Sequence, residues 1–82
     1  MDKMFEKFIE ENLVKDIKGF EKNDDLYKRY LMHCKLYHLE SCTKRKFTNQ
    51  LKKMNIGIQH KRMKNYAIEY GRWGVRLLPC KY

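Results

Sequence analysis

The hydrophobic rhythm of this chain changes after Asn55, and that change limits the architectures open to it. Before it, apolar residues recur with helical spacing. Phe5, Phe8, Ile9 and Leu13 fall at i, i+3, i+4 and i+8, one face of a helix over 3–13. Leu13 to Lys18 fits a short strand, followed by a turn at Gly19. Asn23 stands ahead of Asp24 and Asp25 as an N-cap, with acids in the first turn where the helix dipole favours them. Leu26, Tyr27, Tyr30, Leu31, Cys34 and Tyr37 then form the stripe of a second helix over 24–38. Ser41 or Thr43 caps a third, running to about Asn55. Its stripe is narrow: Phe47, Leu51 and Met54.

Past Asn55 the period becomes two. Ile56, Ile58 and His60 alternate with Gly57, Gln59 and Lys61, and residues 72–78 make a second strand. Met63 to Gly71 reads as a basic and aromatic connector, so the pair is expected to form an antiparallel hairpin with a long tip. Pro79 closes the last strand, because it has no N–H for a ladder. Helix, strand, helix, helix, strand, strand is the order of a winged helix-turn-helix, an α+β fold with a small antiparallel sheet. A three-helix bundle with an irregular tail is the competing architecture. The 82 residues hold one domain, 1–82, with no repeat or linker, and its core must be small. Aromatics, 13% of the chain, bury large areas and offset this.

Charge divides earlier, after Glu40. Residues 1–40 carry eight Lys/Arg against nine Asp/Glu; residues 41–82 carry eleven against one, Glu69. The net +9 therefore lies in the C-terminal half, the pattern of a compact domain with one face turned to a polyanion. Nucleic acid is the commonest such partner. A solvated basic surface with no particular ligand is the plainer explanation.

The third helix concentrates the signal. A recognition helix needs a thin apolar seam for docking and a polar arc for the major groove. Lys44, Arg45, Lys46, Thr48, Asn49, Lys52 and Lys53 supply that arc, with no acid among them. Arg bridges guanine O6 and N7, and Asn bridges adenine N6 and N7. An ordinary solvated helix face mixes Lys with Glu instead. On the expected wing, Lys61, Arg62, Lys64 and Arg72 suit the phosphate backbone. Tyr66 and Tyr70 lie between them, placed either to stack on an unpaired base or to pack beneath the hairpin.

Other chemistries find little footing. Cys34, Cys42 and Cys80 are odd in number without framework spacing, which favours reduced thiols and leaves room for one disulfide at most. Cys34, His38 and Cys42 lie four apart, but no Cys-x-x-Cys pair accompanies them, and Cys34 falls on an apolar stripe where a buried thiol is ordinary. No metal, other cofactor or catalytic residue is expected, and no phosphate-binding G-x-x-x-x-G-K-[ST] loop occurs. The reduced thiols favour a cytoplasmic or nuclear setting. No apolar run approaches a membrane span and no signal peptide opens the chain.

Three pieces follow one another in a known order. Leu26-Tyr27-x-x-Tyr30-x-x-x-Cys34 lies on the second helix, Thr43-x-x-x-Phe47-x-x-x-Leu51 on the third, and Trp73-Gly74-Val75-Arg76-Leu77 near the end. Together, over residues 26–77, they resemble the C-terminal winged-helix domain of primase-helicases of viruses, phages and plasmids, poxvirus and phage-satellite replication proteins among them. The resemblance implies a DNA-binding module appended to a superfamily 3 helicase, with the ATPase and primase parts elsewhere and Met1 not necessarily a native start. Two positions depart from it: His33, where many relatives carry an aromatic, and the 38–42 turn, which lacks the usual glycine.

The expectation is a non-enzymatic DNA-binding domain of a viral or mobile-element replication protein. Its partners would be DNA and the remainder of a helicase-primase. The rivals are a free-standing regulator or excisionase-like protein of the same fold, and a protein-interaction module that docks on a helicase.

Overall fold

The computed structural model describes residues 3–80 and 82, with backbone alone for Lys3, Met4 and Lys64. The elements follow the expected order: α1 (Lys3–Asn12), β1 (Leu13–Lys22), α2 (Asn23–Leu36), α3 (Lys44–Lys53), β2 (Ile58–Lys64) and β3 (Ala67–Leu77). The strands form one antiparallel sheet in the order β1-β3-β2. The fold is thus α+β, three helices with a small antiparallel sheet, an arrangement compatible with a winged helix. It is not a bundle with an irregular tail.

The core is aromatic and sits between the helices. Phe8, Leu26, Phe47 and Leu51 are fully buried, joined by Phe5, Leu13, Tyr30 and Cys34. Phe47 is its hub. Its ring stacks on Tyr30 at 4.8 Å and lies 5.6–6.0 Å from the rings of Tyr27, Phe8 and Phe5. Ring pairs of this kind add to area burial, which is how a short chain secures three helices.

β1 does not turn at Gly19. It continues to Lys22 and absorbs residues 16–19 as a bulge, its pairing with β3 passing from Lys15↔Val75 to Phe20↔Trp73. Gly19 serves close approach instead: a Cβ there would stand 2.5 Å from the Val75 carbonyl oxygen. Because the backbone stays extended through Lys22, the cap of α2 falls on that residue and not on Asn23. Asn23 opens the helix, and its Oδ1 is buried without a hydrogen-bond partner among the described residues.

Both α2 and α3 end earlier than the apolar stripes suggest, and in the same way. After α2, His38 takes a left-handed backbone (φ 55°); its N–H donates to the Lys35 carbonyl and that of Leu39 to the Cys34 carbonyl. After α3, Asn55 (φ 55°) and Ile56 repeat this on Lys52 and Leu51. These are Schellman endings, each with a partly buried apolar residue just beyond. His38 therefore fills the role of the glycine missing from the 38–42 turn.

The hairpin also differs from expectation. Met63 to Gly71 is not a connector, because β2 and β3 pair in register from Ile58↔Trp73 to Lys64↔Ala67. Only Asn65 and Tyr66 lie between them, with φ of 51° and 64°. That is the type I′ geometry that matches strand twist. No helix among the described residues is long and apolar enough to cross a membrane.

Candidate nucleic-acid interface

Helix α3 is held by its seam and by the turn before it. Phe47 and Leu51 are buried, and Met54 packs partly against them. The Thr43 hydroxyl caps the helix, accepting from the Lys46 N–H at 3.3 Å. Two α2 tyrosines clamp the approach: the Tyr27 hydroxyl donates to the Cys42 carbonyl at 2.7 Å, and the Cys42 N–H donates to the Tyr30 hydroxyl at 3.2 Å. The tilt of α3 thus depends on α2 side chains as well as on apolar packing.

With that seam turned inward, Lys44, Arg45, Lys46, Asn49, Lys52 and Lys53 are exposed. Lys44 forms an ion pair with Asp24 in the first turn of α2. The Thr48 hydroxyl donates to the Arg45 carbonyl of its own helix at 3.0 Å. That bond commits its proton and leaves its lone pairs as the free capacity. Arg45, Lys46, Asn49, Lys52 and Lys53 therefore form the open part of the arc. Lys52 and Lys53 lie in the last turn, where cations also complement the dipole.

The hairpin rises beside the start of this helix. A depression between them is bordered by Lys44 of α3, by Lys22, Asn23 and Asp24, and by Ile68, Glu69 and Tyr70 of β3, so it holds two acids beside its two lysines. Lys61 is exposed opposite Tyr70. Arg62 donates from Nε to Glu69 at 2.8 Å, and its guanidinium lies 4.1 Å from the centre of the Phe20 ring. Lys64 belongs to β2, but its side chain lies outside the described residues.

Arg72 requires correction. It is not on the wing tip but at the base, paired across the sheet with Glu21 and Gln59. It is 5% exposed, and it donates from Nε to the Ile56 carbonyl at 2.8 Å and from Nη2 to the Gly57 carbonyl at 3.0 Å. Burial lowers the pKa of its guanidinium from the ordinary arginine value. The side chain joins the hairpin to the loop leaving α3 and is turned away from any ligand at the surface. Its charge pointed to solvent, and no local feature of the sequence marked the two carbonyls that it satisfies.

Neither hairpin tyrosine packs beneath the strands. Tyr70 is exposed, and Tyr66 is wholly so. Tyr66 stands at the apex, and the signal for it in the sequence is Asn65, a residue suited to open a two-residue turn. Ile17, Ile58 and Trp73 are also exposed and line a shallow apolar cleft with Gly57 and Gly74, a surface without a sequence forecast.

The cysteines remain separate thiols. Cys34 is buried, which pushes its thiol pKa up. Among the described residues no three His, Cys, Asp or Glu side chains gather as metal ligands, so Cys34, His38 and Cys42 do not converge. No model of a known family matches the chain, and no curated protein matches it in sequence.

Proposed function

We propose that this chain is a winged-helix DNA-binding module in which α3 meets the major groove and the hairpin grips the backbone. The observation that carries the reading is the acid-free polar arc of α3. Its cations are exposed, and at its first turn Lys44 shares a hollow with Ile68, Glu69 and Tyr70 of the hairpin. Arg45 and Asn49 are the residues suited to base edges. Lys46, Lys52, Lys53 and Lys61 are suited to phosphates. Strand order and helix order agree with this assignment. The placement in a viral or mobile-element primase-helicase rests on the motifs of residues 26–77. On that reading the domain delivers DNA to ATPase and primase parts elsewhere and performs no catalysis itself.

A second reading has its own observation. The exposed Ile17, Ile58 and Trp73 cluster would suit a protein partner such as a helicase ring.

Titration of the protein with duplex, forked and single-stranded DNA at two salt concentrations tests the proposal. Affinity should fall steeply with salt, by a log–log slope of about 0.9 per phosphate neutralised on duplex. The absence of DNA binding at low salt would leave the protein-docking reading.

A further inference from the structure

The wing tip carries a residue that the fold alone would not choose. Tyr66 occupies the second position of the type I′ turn with φ 64°. In that region a side chain crowds the backbone, which is why glycine is the usual occupant. Its ring is also fully in water, at 102% relative exposure. The chain therefore accepts a strained backbone and an unburied aromatic at one position, and neither helps folding. Strain combined with an idle ring points toward a ligand.

The surroundings say which kind. Behind the turn, Met63 and Ile68 pair across the ladder, and they are 73% and 50% exposed. Next come Lys61 with Tyr70 and Arg62 with Glu69. β1 accompanies β3 only as far as Lys22↔Gly71, so this last portion protrudes as two strands without a third. The result is an apolar, aromatic tip on a cationic stem. Phosphates would hold the stem, and a flat apolar surface would receive the tip. In DNA that surface is the face of a base, and it is open where pairing ends.

We propose that Tyr66 stacks on the first unpaired base at a junction of single- and double-stranded DNA, so that the preferred ligand is forked DNA and not uninterrupted duplex. This rests on the DNA-binding reading above. Stacking of a base on an aromatic residue is sequence-tolerant and strong enough to shift affinity about fivefold or more.

The test uses the full chain. A fork with 2-aminopurine at the first unpaired position is titrated, and a covalently closed circular duplex competes. Wild-type protein should prefer the fork about fivefold or more and change the 2-aminopurine fluorescence. Tyr66→Phe should keep both properties. Tyr66→Gly should lose both, retain its affinity for the circle and melt a few degrees higher, because the turn is relieved. A fork preference that survives Tyr66→Gly overturns the proposal. An equal loss on fork and circle also overturns it and indicates insertion into intact duplex. A lower melting temperature for Tyr66→Gly would show that the ring supports the fold, which overturns it too. In these cases DNA binding itself stands; failure of every DNA to bind would remove both readings.

Discussion

The Nε of Arg72 donates to the carbonyl of Ile56 at 2.8 Å, across the gap between the hairpin base and the loop that leaves α3. With the Nη2 bond to Gly57, one guanidinium satisfies two loop carbonyls and fixes the wing against the helix. Arg72→Met should cost about 2–3 kcal/mol in urea unfolding, the scale of losing charged hydrogen bonds and stranding their acceptors. Arg72→Lys should not restore it, because an ammonium lacks the planar fork that spans both oxygens. Stability equal to wild type in either variant would mean that the loop holds its shape without this contact.

Phe47 touches more of the aromatic core than any single helix could supply. Phe47→Ala should destabilise the domain by about 3–5 kcal/mol, close to the whole stability of a chain this size. Circular dichroism melts should show a lost or greatly lowered transition, and Phe47→Leu should recover part of it. A native melt for the alanine variant would place the seam of α3 elsewhere.

Helix and wing should divide their labour on DNA. Lys52→Glu with Lys53→Glu should weaken binding and flatten the log–log salt slope by up to about 1.8 without altering the melt, since both residues are exposed. Arg62→Ala with Lys64→Ala should lower affinity by a similar factor on unrelated sequences. Arg45→Ala or Asn49→Ala should change any preference among duplexes. Lys44→Ala or Arg62→Ala alone should matter least, because Asp24 and Glu69 already engage those cations. A panel of duplexes at one salt concentration checks all of these, and a wing pair that changed sequence preference would reverse the assignment.

His33 makes stability depend on pH. The ring is buried, with Nδ1 3.0 Å from the Tyr82 hydroxyl, and among the described residues Nε2 has no hydrogen-bond partner. Burial lowers its pKa, Lys7 acts in the same direction, and Glu11 opposes them. The folded state thus holds the proton less tightly than the unfolded chain. Stability should be full above about pH 6.5 and decline as pH falls below it. Urea midpoints between pH 5 and 8 should show this slope, and His33→Phe should reduce it. An unchanged slope in the variant would assign the titration to another group.

The helices were legible because each has one dry face. The Phe47/Leu51 seam and the Leu26/Tyr30/Cys34 stripe announce themselves by spacing, and both are buried. The outer hairpin was not legible because neither face is dry. Lys61, Arg62, Met63, Ile68 and Tyr70 are all exposed, so alternation has nothing to record there. Tyr66 hid the turn by standing where glycine would have declared it. Arg72 misled for the opposite reason: a charged side chain expected at the surface is buried and bonded to two carbonyls. His33, at a position where the resemblance has an aromatic, is buried among aromatic rings. For the candidate interface, the α3 arc was readable residue by residue. The tip and base of the wing needed the strand register.

An in-register ladder closed by two residues makes the wing a ruler with fixed graduations. Each added cross-strand pair advances the apex by about 3.4 Å, the rise of an extended residue. Base pairs are spaced by about the same distance along a duplex. A hairpin longer by one pair would thus reach about one residue rise further, with its apical side chain turned to the opposite face; on the proposed DNA-binding reading that rise is of the size of one base step. Two pairs restore the original face and move the point of contact by two steps. Reach and orientation are coupled in this hairpin, so a change in its length moves its apex and turns it together, and only even changes present the same chemistry on the same side.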